Sequence, residues 1–223
     1  MKMKMVLIIT TVAFALGVGV YNIFPMKTTM HQSGLIPASS KKDLINNASV
    51  MIKGTVKEMK PSFWSNPNLE KGEGVRNIIQ TDVLVNVEDV YKNKPYNDEV
   101  VTVRIDKGTV GDTTMEFEGY PDFEVGEEVV LFLSEDDSDV ANPNEDYYVL
   151  TGMIQGKFTL KGSQNGDKVF VNETAVDSTY ENSFKLSTIK QEIKSTLDDL
   201  EKNPIKKMTK EEIKELNEKT LGK

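Results

Sequence analysis

Apolar and polar residues alternate along three stretches of the chain: 50–56, 78–91 and 101–105. A period of two residues is typical of a strand with one buried face, so each stretch predicts a half-buried β-strand. The longest stretch keeps valine on one face as far as Val87 and then moves the apolar position to Val90. That change of face predicts a β-bulge or bend near Glu88 and Asp89.

A fourth stretch, 127–133, is almost entirely apolar, which predicts a strand buried on both faces. Shorter strands are predicted at 147–150, 157–160 and 168–171, with a glycine-containing turn at 162–166 between the last two. Many short strands without intervening helices indicate a mainly β fold, either a small antiparallel barrel or a sandwich. We favour the barrel, because a long second strand that bends serves two sides of a five-stranded barrel.

Helical spacing replaces the alternation near the C-terminus. Thr188 and Gln191 have the spacing of a capping box, and Pro204 ends the helix that this box predicts. Apolar residues follow the box at helical spacing: Ile189, Ile193, Leu197 and Leu200. A further capping box predicts a second helix over 209–216. The two helices carry many charges, so they are either a solvated tail or elements that pack on the barrel or on a partner.

The first 24 residues have the pattern of a membrane-targeting segment. Lys2 and Lys4 precede an apolar run over 5–24, which has the length of about 20 residues needed to cross a bilayer as a helix. Basic residues ahead of the run favour an N-terminus in the cytoplasm and the rest of the chain outside. The run is therefore predicted to be an uncleaved single-pass signal anchor or a cleaved signal peptide. The predicted location is the cell membrane with the C-terminal domain outside, or secretion.

These patterns divide the chain into four segments: a signal anchor or signal peptide at 1–24, a linker at 25–40, a β-barrel domain at 41–172 and a polar helical tail at 173–223. Ser40 and Asp43 have capping-box spacing, which predicts a short helix where the domain begins. Leu44 and Ile45 are expected to dock this helix on the barrel.

The net negative charge of the chain limits the classes of partner that it is expected to bind. Its 27 Lys and Arg residues against 35 Asp and Glu residues give a formal net charge of −8. A negative surface opposes counterion release, so nucleic acid is not an expected partner. The chain has no cysteine, which excludes disulfides, thiolate metal sites and a cysteine nucleophile. We expect no cofactor, and the expected partners are the membrane, through residues 5–24, and an extracytoplasmic protein or cell-envelope ligand.

Several short motifs carry a resemblance to a known family. They are GTV at 54–56, VLVNVEDVYK at 83–92, GYPDFEVGEEVVLFLS from Gly119 onward and YYVLTGMIQGKFTL at 147–160. With these motifs the chain resembles a family of uncharacterised exported bacterial proteins, whose barrel is similar to the N-terminal domain of tissue inhibitors of metalloproteinases. The resemblance covers residues 45–160 and implies an OB-like β-barrel without implying an activity. The chain lacks the N-terminal cysteine through which the animal inhibitors bind zinc, so that inhibitory mechanism is not expected.

The loop predicted over 60–77 contains the main candidate binding residues, Phe63 and Trp64. In OB-like barrels the loop after the first strand commonly forms part of the ligand surface. Aromatic residues in a polar loop either fold back on the core or contact a partner. Together with the loop 107–121, which contains Tyr120, they define a candidate binding surface.

No catalytic motif is recognisable in the sequence. His31 is the only histidine and lies in the predicted linker, so a Ser-His-Asp triad is not expected. The acidic loop 136–146 offers oxygen atoms of the kind that calcium binds, with Asp137 and Asp139 as candidate ligands, or is a solvated hairpin tip. The sequence therefore predicts a non-enzymatic binding or interaction module. The alternatives are an envelope hydrolase or calcium-dependent protein that uses carboxylates, and a structural envelope component.

Overall fold

Two β-sheets and two α-helices form the part of the chain that the computed structural model describes, residues 28–33, 36–64, 78–138, 141–164, 166–173 and 182–205. The strands are β1 (Thr28–Gln32), β2 (Val50–Phe63), β3 (Ile79–Lys92), β4 (Val100–Ile105), β5 (Gly108–Val110), β6 (Thr113–Phe117), β7 (Glu128–Ser134), β8 (Val149–Leu150), β9 (Lys157–Gln164), β10 (Asp167–Val171) and β11 (Ser183–Lys185). The helices are α1 (Lys41–Asn47) and α2 (Ile189–Lys202), and a 3₁₀ turn spans Met153–Gly156. The predicted mainly β class is confirmed.

The larger sheet is built around β2, which pairs with β3 on one side and with β7 on the other. Its strand order is β11-β10-β9-β7-β2-β3-β4, and all neighbours are antiparallel. β2 and β3 each have 14 residues. Their pairing is irregular at three residues that have no partner in the register: Lys57 on β2, and Glu88 and Tyr91 on β3. The irregularity at Glu88 confirms the bulge predicted from the shift of the valine face.

The last strand of this path, β4, approaches the segment ahead of β8. Val103 and Tyr148 form a single parallel bridge, in which the Tyr148 N–H donates to the Thr102 carbonyl at 2.9 Å and the Arg104 N–H donates to the Tyr148 carbonyl at 2.8 Å. β8 in turn pairs with β7. A continuously paired closed barrel is not found among the described strands, because β8 has only two residues and cannot pair along the length of β4.

β7 separates two apolar cores, because its side chains are buried on both faces as predicted. Alternate residues of this strand enter different cores: Val129, Leu131 and Leu133 the first, Val130 and Phe132 the second. The first core lies among β2, β3, β4, β7 and β8 and includes Ile52, Val56, Val83, Val85, Val101, Val103, Ile105, Phe123 and Leu150. The second core lies against the helices and includes Leu44, Ile45, Met51, Phe158, Phe170, Phe184, Ile189, Ile193 and Leu200.

The smaller sheet is formed by segments whose sequence gave no strand signal. β1 pairs in parallel with β6, and β5 pairs with β6 in antiparallel fashion. The Thr28 N–H donates to the Asp112 carbonyl at 2.9 Å, and His31 lies opposite Glu116. Residues 28–32 thus form a strand within the predicted linker. The predicted loop 107–121 likewise contains a hairpin, and β2 continues to Phe63 through the first residues of the predicted loop 60–77.

α1 begins with the predicted capping box. The Asp43 N–H donates to the Ser40 hydroxyl oxygen at 3.2 Å, and the Ser40 N–H donates to the Asp43 carboxylate at 3.0 Å. At the other end, the Lys92 ammonium donates to the carbonyl oxygens of Ile45, Asn46 and Ala48 at 2.7, 3.2 and 2.6 Å. A cation at a helix C-terminus satisfies carbonyls that have no partner within the helix and complements its dipole.

α2 packs on the sheet and on α1 instead of forming a solvated tail. Its apolar stripe is buried in the second core, and it is linked to α1 by the ion pairs Lys41–Glu192 at 2.5 Å and Lys42–Asp199 at 2.6 Å. The predicted capping box at Thr188 is wrong, because Thr188 has a right-handed helical conformation and makes no side-chain cap hydrogen bond. The helix ends before Pro204, as predicted, and the predicted helix at 209–216 lies outside the described residues.

None of the helices in the described ranges is long and apolar enough to cross a membrane. The apolar segment 5–24 lies outside those ranges.

Candidate functional site

A groove of about 730 Å³ lies between the segment that connects β6 to β7 and the strands β9 and β10. Tyr120, one of the three binding residues predicted from the sequence, lines one wall of this groove. The groove is lined by five carboxylate residues and two lysines, together with apolar side chains that include Val125, Ile154 and Leu160. Its volume lies within the range of about 300–1,000 Å³ that is typical of ligand sites.

The outer rim of the groove is a turn that is fixed to β2. Gly126 has a φ of +88°, a conformation that favours glycine. The Gly126 N–H donates to the Val56 carbonyl at 2.8 Å, and the Val56 N–H donates to the Glu127 carbonyl at 3.0 Å. These bonds place Val125 at the tip of the turn, where it is 66% exposed, the highest value among the exposed large apolar residues of the described chain. The rim therefore presents an apolar side chain on an anchored backbone.

The floor of the groove contains a buried ion pair. Lys157 is 8% exposed, and its ammonium donates to Glu127 Oε1 at 2.7 Å and to the Asp122 carbonyl. The Thr159 hydroxyl donates to the same Glu127 oxygen at 2.9 Å, and the Lys157 ammonium lies 4.5 Å from the centre of the Phe123 ring. The lysine charge is thus compensated from within the protein.

Our sequence analysis did not identify the Lys157–Glu127 pair. A signal was available in β9, because Phe158 faces the second core and alternation therefore directs Lys157 and Thr159 to the opposite face. Glu127 comes immediately before β7, beside that face. The sequence alone did not show that these two strands are neighbours.

Tyr120 is held in the groove wall by the half-buried carboxylate of Asp106. Its hydroxyl donates to Asp106 Oδ2 at 3.3 Å, and the Gln80 amide donates to Asp106 Oδ1 at 2.8 Å. The Phe117 ring packs edge-on against the Tyr120 ring with a centroid separation of 5.4 Å. Burial raises the pKa of the Asp106 carboxyl, although both hydrogen bonds act in the opposite direction. Burial, followed by the neighbouring Asp106, also raises the pKa of the Tyr120 hydroxyl.

Replacing Asp106 with asparagine is expected to stabilise the protein at pH 7 by about 1 kcal/mol, the scale of one buried polar interaction. Because the folded-state pKa of Asp106 is raised, ionisation opposes folding. This penalty is absent well below about pH 3.9, the ordinary value for Asp, grows between that pH and the folded-state pKa, and stays constant at higher pH. Urea unfolding of Asp106→Asn and wild type from pH 4 to pH 8 should show that the difference between their free energies of unfolding increases with pH. A difference that is independent of pH would contradict the proposed cost of ionisation.

The other two predicted binding residues lie at the end of β2 and are not part of the groove lining. Phe63 is 43% exposed, whereas Trp64 is 4% exposed. The Trp64 N–H donates to the Ile78 carbonyl at 2.7 Å, which extends the pairing of β2 with the segment before β3. The structure therefore separates the two aromatic residues, with Phe63 accessible to a partner and Trp64 inside the protein.

The acidic loop between β7 and β8 is partly described. Asp137 is exposed, and Asp139 lies outside the described residues. Asp136 accepts a hydrogen bond from the Tyr147 hydroxyl at 2.7 Å and one from the Ser138 N–H at 3.0 Å. Within the described ranges, no group of three or more His, Cys, Asp or Glu residues is arranged to hold a metal ion. Calcium binding by Asp137 and Asp139 stays a prediction from the sequence.

Neither protein-family models nor curated proteins supply a relative from which a function could be transferred. No protein-family model matches the chain. No curated protein matches it significantly.

Proposed function

We propose that this chain is an extracytoplasmic binding module that holds a segment of another cell-envelope protein in the groove beside Tyr120. It is anchored in the membrane through residues 5–24, or secreted after their removal, because two lysines precede an apolar run of spanning length. The observation that carries the binding role is the 730 Å³ groove, which combines an exposed valine with carboxylates on a rigid rim.

An OB-like barrel is the architecture we propose for this module. The path from β2 through β3 to β4 returns to β7 by way of the Tyr148 bridge and β8, which is consistent with a sheet that curls on itself. The first core lies inside this path. In barrels of this type, loops at one end form the ligand surface, and the segment containing Tyr120 and Val125 is such a loop.

The charge of the groove indicates the chemistry of its ligand. Lys157 is paired with Glu127 and Lys161 with Glu173, so both lysines of the lining are neutralised within the protein. Glu124 forms no ion pair among the described residues and lies next to the exposed Val125. An extended segment that carries basic and apolar side chains would complement both features, because complementary charge steers association and an apolar contact supplies affinity.

A photocrosslinking amino acid at position 125 is expected to form an adduct with an envelope protein in intact cells. The same amino acid at Val90 is the matched control, because that valine is also exposed, at 41%, and lies on β3 away from the groove. Charge reversal by Glu124→Lys should lower the yield of the 125 adduct about fivefold or more, because it repels a basic segment. Mass spectrometry identifies the partner peptide and its composition.

The same experiment tests the cellular location. Protease added to intact cells should degrade the adduct, and it would spare an adduct formed inside the cytoplasm. An adduct that forms equally from positions 125 and 90, or that is insensitive to Glu124→Lys, would contradict a specific role for the groove.

A further inference from the structure

A second cavity, of about 320 Å³, lies between the acidic loop and the turn that follows β3. We call it the tyrosine pocket, because its lining includes Tyr96, Tyr147 and Tyr148. Among the described residues, every charged side chain in its lining is acidic: Glu135, Asp136, Glu145 and Asp146. Aromatic rings beside carboxylates form a combination that suits an organic cation.

The aromatic wall of the tyrosine pocket is both fixed and accessible. The Tyr96 and Tyr148 rings are stacked with a centroid separation of 5.1 Å and an angle of 26°. The Tyr96 N–H donates to the Tyr148 hydroxyl oxygen at 3.1 Å, and the Thr102 N–H donates to the Tyr96 hydroxyl oxygen at 2.6 Å. Tyr96 nevertheless remains 42% exposed. A ring that is held by such contacts loses little conformational entropy when a ligand packs on it.

The cluster already contains one contact between a cation and an aromatic ring. The Arg104 guanidinium lies 4.0 Å from the centre of the Tyr147 ring. It donates to the Asp82 carboxylate at 2.7 and 3.0 Å and to Glu145 Oε2 at 2.7 Å. Arg104 therefore pairs with Glu145, one of the four carboxylates of the pocket, as well as with Asp82, and it contacts the Tyr147 ring.

Three carboxylates of the tyrosine pocket form no ion pair within the part of the chain that the structure describes: Glu135, Asp136 and Asp146. Asp136 accepts hydrogen bonds from the Tyr147 hydroxyl and the Ser138 N–H. Glu135 and Asp146 are exposed. Burial raises the pKa of the Tyr148 hydroxyl, the hydrogen bond from the Tyr96 N–H lowers it, and the charges of Glu135 and Asp146 make smaller contributions that raise it. The pocket thus has a negative potential beside an accessible aromatic ring.

We propose that the tyrosine pocket binds a small organic ammonium ion, with its charge between Glu135 and Asp146 and its alkyl groups against the Tyr96 ring. A quaternary or alkylated ammonium gains from the ring face in a way that a strongly hydrated inorganic cation does not. The cavity volume is at the lower end of the range for small ligands, which fits a compact headgroup. This site is separate from the groove beside Tyr120, so failure of one proposal does not affect the other.

Calorimetric titration of the full-length chain in a non-ionic detergent tests this site with choline as the probe. Choline should bind about tenfold or more tightly than 3,3-dimethylbutan-1-ol, which has the same shape without the charge. Tyr96→Leu should weaken choline binding about tenfold or more, whereas Tyr96→Phe, which keeps the ring, should change it about threefold or less. The double variant Glu135→Gln, Asp146→Asn should also lose binding, and thermal unfolding of each variant checks that the fold is retained.

Equal binding of choline and its neutral analogue, or unchanged binding by Tyr96→Leu, would overturn the proposal. Sodium chloride at the same concentration as choline is expected not to reduce choline binding. If it does, the pocket is a site for any cation. Phosphorylcholine distinguishes two sources of the same chemistry. If phosphorylcholine binds more weakly than choline, the pocket is assigned to a free organic ammonium ion. If it binds equally or more tightly, the pocket is assigned to a phospholipid headgroup.

Discussion

Replacing Trp64 with alanine is expected to lower the free energy of unfolding by about 3–5 kcal/mol, the usual cost of removing a large buried aromatic side chain. The indole is 4% exposed, and its backbone continues the β2 pairing. Trp64 is the only tryptophan, so unfolding of this variant should be followed by circular dichroism and not by fluorescence.

The neighbouring Phe63 provides the matched control for Trp64. It is 43% exposed on the same strand, so Phe63→Ala should cost about 1 kcal/mol or less. If Trp64→Ala and Phe63→Ala shift the denaturant midpoint equally, the indole is not part of the core. In a double variant that lacks both aromatic side chains, weaker binding could result from unfolding or from the loss of a contact with the partner, and a binding assay would not distinguish the two causes. Phe63→Ala alone is therefore the variant that tests a role of this strand end in binding.

Replacing Glu127 with alanine is expected to lower the free energy of unfolding by about 3 kcal/mol, because it leaves the buried Lys157 ammonium without its carboxylate. The Thr159 hydroxyl also loses its acceptor. The double variant Glu127→Ala, Lys157→Met should recover to within about 1 kcal/mol of wild type, because replacing a buried ion pair with apolar groups is often neutral.

The ion pair Lys161–Glu173 is the control for this double-mutant cycle, because it lies in the same groove and is solvated. Its side chains are 41% and 63% exposed, so Glu173→Ala should cost about 1 kcal/mol or less. Urea unfolding of wild type, Glu127→Ala, Lys157→Met and the double variant gives the coupling energy directly. The structural role assigned to the Lys157–Glu127 pair fails if Glu127→Ala costs no more than Glu173→Ala.

Local patterns in the sequence predicted the elements whose signal is contained within a few residues. The valine face of β3 located the bulge at Glu88, and the apolar run at 127–133 gave the doubly buried β7. The Ser40 capping box was also readable, because both of its hydrogen bonds join residues three apart. In each case the physical cause is local, so one sequence was sufficient.

The elements that sequence analysis missed depend on partners that are distant in the chain. β1 is a polar strand of five residues, and only pairing with β6 about 85 residues later makes it a strand. The wrong capping box at Thr188 is a local exception, because the preceding turn from Lys185 places Thr188 in a helical conformation and its side chain makes no cap hydrogen bond. The candidate groove was missed because its walls are distant in sequence: the acidic loop, β8 and the 3₁₀ turn separate β7 from β9.

The position of β7 between the two cores also limits how this protein can diverge. In most strands a substitution at every second position meets only solvent, but each interior position of β7 faces one core or the other. A single inserted or deleted residue would exchange the side chains that face the two cores. Phe132 would then point into the first core, where valine and leucine side chains of β7 now pack. Homologous chains should therefore keep the length of this strand constant.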